Sequence, residues 1–293
     1  TCSFDAIMNA IDICIAIGCK VVNMSLGGYV WKLTGGEEIK QLFEDKFESA
    51  PDVLFVAAAG NDARPIVSTD PFFGLPIWEV PAACEPSTEN LIAVTAAGHD
   101  DDLASYSNFH MNLCDIAGYG GTNDGVANHD VLSTAGKRGR CESYHSKERY
   151  VVMQEEDGPV EYAYLPGTSM AAPTVSGALA LASAYYYTKF NSFPGAKLIR
   201  NILRGSCKYH NRNHFYTNKA GGVLNLDYLL QSINIRAAGY KPPLLDVYVD
   251  DETPNLIIKL TNQDSALRIV LVTIGVECFY SWEEDNPYKE YIV

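Results

Sequence analysis

The residue types that could do chemistry concentrate in one heptad, Gly167-Thr168-Ser169-Met170-Ala171-Ala172-Pro173. The apolar pattern that follows predicts a long helix from about Ser169 to Phe190, which places Ser169 on its first turn. A serine there has a backbone N–H with no helical partner and faces the positive end of the macrodipole, a setting that stabilises an oxyanion. Gly167, Ala171 and Ala172 are small enough for a substrate backbone to come close. Pro173 is read as tolerated because first-turn amides need no helical acceptor. Gly-Thr-Ser alone fits equally well a Ser/Thr cap on a buried helix, so the decision rests on the whole heptad and on what accompanies it. Serine is a weak nucleophile at neutral pH and needs a general base, normally a histidine oriented by a carboxylate. The histidines are His99, His110, His129, His145, His210 and His214. None stands in a helix-opening Gly/Thr context, and each reads as a surface or loop histidine.

The elements that must position Ser169 follow from periodicity. Ser3 is an N-cap for a helix in which Phe4, Ile7, Met8, Ile11, Ile15 and Ala16 recur at helical spacing, and Gly18 stops it. Lys20 to Leu26 reads as a short buried strand ending at Gly27-Gly28. A second amphipathic helix over Glu37 to Ala50 precedes a near-continuous apolar strand, Asp52 to Ala59, bounded by Pro51 and Gly60-Asn61. Leu91 to Ala96 is a third buried strand. Helix and strand alternate without hairpin signals, which predicts an α/β fold: a three-layer, doubly wound, mostly parallel sheet. From about Arg236 the character changes. Lys241-Pro242-Pro243 breaks the chain, and Leu244 to Val249, Leu256 to Leu260, Arg268 to Ile274 and Glu277 to Trp282 read as short strands. The expected division is therefore an α/β domain that carries Ser169 at 1–235 and a small β-rich C-terminal extension at 236–293.

Composition bounds the function classes. The chain has 293 residues, 47% of them hydrophobic, which is enough for a large core with a modest appendage. A formal charge of −14 with no basic patch beyond Lys137, Arg138 and Arg140 argues against a nucleic-acid partner. The longest apolar run, Val175 to Tyr187, is broken by Ser176, Gly177 and Ser183, so no membrane span is expected. Thr1 to Asp5 has no cationic n-region, so the chain reads as starting inside a domain. Eight cysteines without a C-x-x-C pair suggest neither a zinc site nor a disulfide scaffold, and Cys14 and Cys19 read as small core residues.

The heptad resembles, residue for residue, the nucleophile motif of the subtilisin-like serine proteases. Further blocks follow in the family's order. Val21 to Gly28 is similar to the strand whose end pairs with substrate. Val53 to Asn61 is similar to the strand and loop that deliver the oxyanion-hole asparagine, and a neutral amide such as Asn61 donates without a change of charge. Pro81-Ala82, Leu91 to Ala97 and Tyr106-Ser107-Asn108 match the next stretch. Gly221 to Asn225 resembles the closing turn into the last helix. The resemblance covers about residues 3–235. It implies a serine endopeptidase with Ser169 and Asn61 catalytic and an extended peptide or protein substrate lying against Ser25, Leu26, Gly27 and Gly28. Ala58, Ala59, Gly60 and Thr168 are implied to lie around the primary pocket. Glu79 falls where the family often sets the pocket's charge, and a carboxylate there would favour Lys or Arg before the scissile bond. Read without the resemblance, Glu79 is a solvated loop acid. The usual Ala-Pro-Gly turn is replaced by Ala117-Gly118-Tyr119, followed by an insertion reaching to Tyr164.

The family's aspartate and histidine motifs do not occur in the chain. Two expectations follow: an N-terminal segment or separate chain brings the Asp and His, or the chain is a pseudoprotease that keeps the fold as a peptide-binding or regulatory module. An unrelated α/β hydrolase would need Gly-x-Ser-x-Gly, from which Ala171 departs. Calcium is possible as a structural ion in such folds, and Asp100-Asp101-Asp102 or Asn123-Asp124 carry suitable oxygens, but no metal ligand is assigned. The resemblance leans towards an extracytoplasmic setting; the residues themselves leave the compartment open.

Overall fold

A computed structural model describes residues 3–70, 72–135, 150–155, 158–208, 217–238, 244–249, 256–261 and 288–292. It divides into two compact units, Thr1–Leu230 and Gln231–Val293.

In the first unit, helix α1 (Phe4–Ala16) is capped by Ser3, whose hydroxyl accepts from the Ala6 N–H at 3.3 Å. It ends at Gly18, whose φ of +80° is the left-handed stop expected. Strand β1 (Val21–Met24) follows, then β2 (Gly28–Trp31), helix α2 (Gly36–Glu48) and strand β3 (Leu54–Ala58). Strands β4 (Val67–Thr69), β5 (Pro76–Val80), β6 (Leu91–Ala97) and β7 (Cys114–Tyr119) come next. Strands β1, β3, β6 and β7 form one four-stranded sheet in the order β1-β3-β6-β7, every pair parallel. Successive side chains along β3 point to opposite faces. Phe55, Ala57 and Ala59 join Ile11 of α1 and Phe43 and Phe47 of α2 in one core cluster. Helix α3 (Thr168–Phe190) packs on all four strands of the sheet. Helices thus cover both faces, which is what an all-parallel sheet requires.

Two smaller sheets are antiparallel and were not foreseen from the helix–strand alternation. Strands β2, β5 and β4 form one, with Tyr29 opposite Glu79 and Trp31 opposite Ile77. Strand β2 is too short and too partly buried to show a pattern, and Gly27-Gly28 read as the end of a strand rather than the start of another. The second, β8 (Val131–Thr134), β9 (Tyr150–Glu155) and β10 (Gly158–Leu165), occupies much of the insertion between Gly118 and Tyr164. Its strand β10 runs directly into Pro166 and Gly167, so the insertion aims the chain at the nucleophile turn. Ala117-Gly118-Tyr119, which stand in place of the family's usual Ala-Pro-Gly turn, form the end of β7. A Cβ on Gly118 would lie 2.5 Å from the Ala171 carbonyl oxygen, so glycine lets β7 and α3 approach there.

Helix α4 (Ala196–Arg204) is tied to the sheet through Asp115 of β7, 1% exposed at its side chain, which takes hydrogen bonds from Arg200, Arg204 and the Ala93 N–H. Gly221 to Asn225 leads into helix α5 (Leu226–Ala237), with Asn225 Oδ1 accepting from the Tyr228 N–H at 2.9 Å. In the second unit β11 (Leu244–Val249), β12 (Leu256–Thr261) and β13 (Tyr288–Ile292) form an antiparallel sheet. The expected strands at Arg268 to Ile274 and Glu277 to Trp282 lie outside the described residues, as do Lys137, Arg138, Arg140 and Lys241-Pro242-Pro243. No helix among the described residues is long and apolar enough to cross a membrane.

Candidate active site

Ser169 is the second residue of α3, and the helix's first hydrogen bonds run from Met170 and Ala171 to the Gly167 carbonyl. Its own N–H therefore lies ahead of the helical ladder. Gly167 has φ +149°, a conformation that favours glycine. It is fixed by its N–H donating to the Gly120 carbonyl at 2.8 Å, and that carbonyl also accepts from the Tyr106 hydroxyl at 2.7 Å.

Pro173 corrects the sequence expectation. It is the sixth residue of the helix, past the first turn, so the N–H it lacks is the one that would have served the Ser169 carbonyl. The Ser25 hydroxyl takes that place, donating to the Ser169 carbonyl at 2.7 Å. Ser25 is held in turn by Asn23, whose Nδ2 donates to Ser25 Oγ at 2.9 Å while its Oδ1 accepts from Ser176 at 3.0 Å. The end of β1 is thus bonded to the first and third turns of α3.

Asn61 follows β3 and is oriented by Thr168. Its Oδ1 accepts from the Thr168 N–H at 2.8 Å and from the Thr168 hydroxyl at 3.0 Å, and that hydroxyl accepts from the Gly60 N–H at 3.0 Å. With the oxygen end fixed on the α3 side, the donor end, Nδ2, is left for a ligand. Asn61 and Ser169 line the same cavity of ≈ 390 Å³.

That cavity is also lined by Leu26, Gly27, Gly28, Ala58, Gly60, Glu79 and Thr168, all named from the sequence. Two of the expected residues do not line it. Ser25 bonds the nucleophile's carbonyl instead, and Ala59 is wholly buried in the core with its carbonyl accepting from Asn108 at 2.9 Å. Tyr29 and Asp62 line it without having been foreseen. Asp62 could have been found as the neighbour of Asn61, whereas Tyr29 needed the β2–β5 register that sets it opposite Glu79.

Glu79 is 4% exposed, on a strand rather than in a solvated loop. A Cβ on Gly27 would stand 2.6 Å from its Oε1, so the pocket wall is drawn tight around the carboxyl. Burial, reinforced by Asp62, pushes the Glu79 carboxyl up to about 7, against the opposing pull of Arg64 and of a hydrogen bond from Tyr29.

Among the described residues no histidine is hydrogen-bonded to Ser169. His110 takes the Asn112 N–H at 3.2 Å, and burial pushes its imidazole down. His129 bonds Asp124 at 2.7 Å and stacks on His99 with ring centroids 3.8 Å apart. His145, His210 and His214 lie outside the described residues. Of the residues considered for calcium, Asp124 bonds His129, and Asp101 bonds Tyr119 and Lys208. The described residues contain no cluster of three or more His, Cys, Asp or Glu that could hold a metal ion.

A family model described as the subtilase family matches residues 1–218. The chain is similar to an epidermin leader peptide-processing serine protease of Staphylococcus epidermidis, 25% identical over 220 residues that make up 68% of this chain and 45% of that protein. It is also similar to an extracellular protease of Xanthomonas campestris, 28% identical over 193 residues, 64% of this chain and 26% of the relative. The chain spans less than half the length of these curated relatives. Among solved structures it resembles a lanthipeptide protease with a TM-score of 0.62 at 21% identity, covering 79% of this chain and 67% of the other. The epidermin leader peptide-processing protease of Staphylococcus aureus gives a TM-score of 0.57 at 23% identity, covering 83% of this chain and 56% of the other. At such identities these structural likenesses establish the fold.

Proposed function

The chain belongs to the subtilase family, and from that premise we propose that it is the nucleophile-bearing part of a serine endopeptidase. Its histidine and aspartate would come from an N-terminal segment or a separate chain. The observation that carries the reading is the Thr168–Asn61 arrangement, which turns a neutral donor into the cavity that Ser169 lines. In this mechanism an extended peptide lies along Leu26 to Gly28. The Ser169 hydroxyl attacks the scissile carbonyl as the histidine accepts its proton. The negative charge that develops on the carbonyl oxygen is held by the Ser169 N–H and Asn61 Nδ2. The histidine then protonates the departing amine, and water hydrolyses the acyl-enzyme.

Two positive features favour a docking place for the segment that would bring the base. Among the described residues strand β1 is an edge of the parallel sheet, and it ends beside the nucleophile through Ser25. Next to it, Ile13 of α1 and Ile17, which caps that helix, are exposed. The pocket reading is that Glu79 selects Lys or Arg before the scissile bond. The similarity to a leader peptide-processing protease supports a peptide substrate.

A second reading, a pseudoprotease acting as a binding module, is favoured by the lack of an imidazole on Ser169 among the described residues. A fluorophosphonate probe separates the two. Labelling of Ser169 in the full-length protein, abolished by Ser169→Ala and weak in residues 1–293 alone, supports the split catalytic apparatus. No labelling of the full-length protein removes the enzyme reading and leaves the binding module.

A further inference from the structure

We propose that Tyr29 is a positioning residue for Glu79, holding the pocket's carboxyl ready to take a basic side chain; this rests on the reading of Glu79 as the specificity residue. The geometry is set by Asn108, which is wholly buried. Its Oδ1 accepts from the N–H groups of Asp62 at 2.9 Å and Arg64 at 3.2 Å. Both acceptor directions face the loop after β3, so Nδ2 must face the other way, and it donates to the Ala59 carbonyl at 2.9 Å and to the Tyr29 hydroxyl at 2.8 Å. The amide orientation is thereby fixed by four partners.

The consequence falls on the phenol. Its oxygen receives the Asn108 N–H, and the Arg64 guanidinium lies over the ring, its carbon 3.5 Å from the ring centre. An oxygen that already receives the Asn108 N–H directs its single proton to another acceptor, and Glu79 stands opposite Tyr29 across the β2–β5 pair on the wall of the same cavity. A donor aimed at a buried carboxyl favours the ionised form. The charged groups facing Glu79 are Asp62, which opposes ionisation, and Arg64, which assists it. Asp62 and Arg64 sit on the loop after β3, and Tyr29 acts from the strand paired with β5. The same loop that carries Asn61 therefore carries two of the charges that tune the pocket, and Asn108 ties its backbone to the tyrosine that does the rest.

Tyr29→Phe removes the hydroxyl and keeps the ring for Arg64. Two measurements test the proposal. In the chain itself, carboxyl-¹³C-labelled glutamate, with Glu79 assigned by Glu79→Gln, gives the Glu79 titration midpoint by NMR. Tyr29→Phe is expected to raise it by about half a unit to one unit. In the full-length protease, the ratio of kcat/KM for a Lys or Arg peptide to that for an apolar peptide is followed with pH. The ratio cancels titration of the catalytic base, and its rise should move upward by the same amount. An unmoved NMR midpoint in Tyr29→Phe overturns the positioning role. A midpoint that moves while the ratio stays flat in both proteins overturns instead the specificity reading beneath it. Should Tyr29→Phe fold poorly, 3-fluorotyrosine incorporated at position 29 gives the second arm: it keeps the shape and the neutral charge but is a stronger donor, so the Glu79 midpoint must fall, and an unmoved midpoint overturns the positioning role.

Discussion

If the Ser25 hydroxyl replaces the N–H that Pro173 lacks, the two positions must be coupled. Ser25→Ala leaves the Ser169 carbonyl with neither a helical nor a side-chain donor. Ser169 is half-buried, so water replaces the bond only in part, and the expected cost is about 1 kcal/mol, the ordinary net worth of such a bond. Pro173→Ala restores an amide four residues beyond Ser169, in position to take the same carbonyl. In that background Ser25→Ala should cost only about 0.3 kcal/mol, leaving a coupling energy of about 0.7 kcal/mol. The Asn23–Ser25 bond is lost in both backgrounds and cancels from the cycle. Urea denaturation of the four proteins, compared through midpoints at a shared slope, has the needed precision. Equal costs of Ser25→Ala in the parent and in the Pro173→Ala background would refute the reasoning and reduce Ser25 to a support for the end of β1.

Other consequences are open to measurement. Asn61→Leu removes the oriented oxyanion donor and should lower kcat of the full-length protease by about 10²- to 10³-fold with KM little changed; a loss confined to KM would place Asn61 in ground-state binding. Glu79→Gln should abolish the preference for Lys and Arg peptides, a preference that in the parent grows as pH rises through about 7, where the carboxyl ionises. The same carboxyl makes a stability prediction. Because the folded state holds its proton up to about 7 while the unfolded chain releases it near the ordinary glutamate value, folding weakens as pH rises between the two and the penalty is complete above 7. Glu79→Gln should therefore gain stability on the parent across that window, by roughly 2 kcal/mol at pH 8, read from denaturation midpoints against pH. Asp115→Asn strips the buried charge shared by Arg200 and Arg204 and should cost roughly 3 kcal/mol; a variant as stable as the parent would mean the arginines find water instead.

Local signals made most of the parallel core legible. Asp52 to Ala59 and Leu91 to Ala96 announce buried parallel strands by continuous apolar runs, and the heptad around Ser169 names its own helix start. What escaped depends on pairing across the chain. Strand β2 has only Gly28, Tyr29, Val30 and Trp31, and nothing in those four residues predicts that Tyr29 will face Glu79 some fifty positions later. The role of Pro173 escaped for a related reason: its missing N–H could be counted from sequence, but the replacement comes from Ser25, 144 positions before the serine whose carbonyl it serves. Ala59 shows the opposite error. Its neighbours Ala58 and Gly60 line the cavity, yet alternation along the strand sends Ala59 into the core.

These cases share a logic that bears on how the nucleophile is held. Ser169 is fixed through its neighbours and its backbone: Gly167 by Gly120, Thr168 by Asn61, the Ser169 carbonyl by Ser25. Each bond reaches the loop or end of a different strand of the parallel sheet, namely β7, β3 and β1. None uses the Ser169 hydroxyl, which the attack needs free. A nucleophile anchored in this way keeps its position whether or not a base is beside it, because the anchoring and the proton transfer involve different atoms. Supplying the histidine from another segment then completes the chemistry without rebuilding the site. If that is how the site works, Ser169→Ala should fold with the stability of the parent, since the hydroxyl it removes takes no part in the bonds that anchor the turn. Loss of more than about 1 kcal/mol on denaturation would mean that the hydroxyl helps hold the turn.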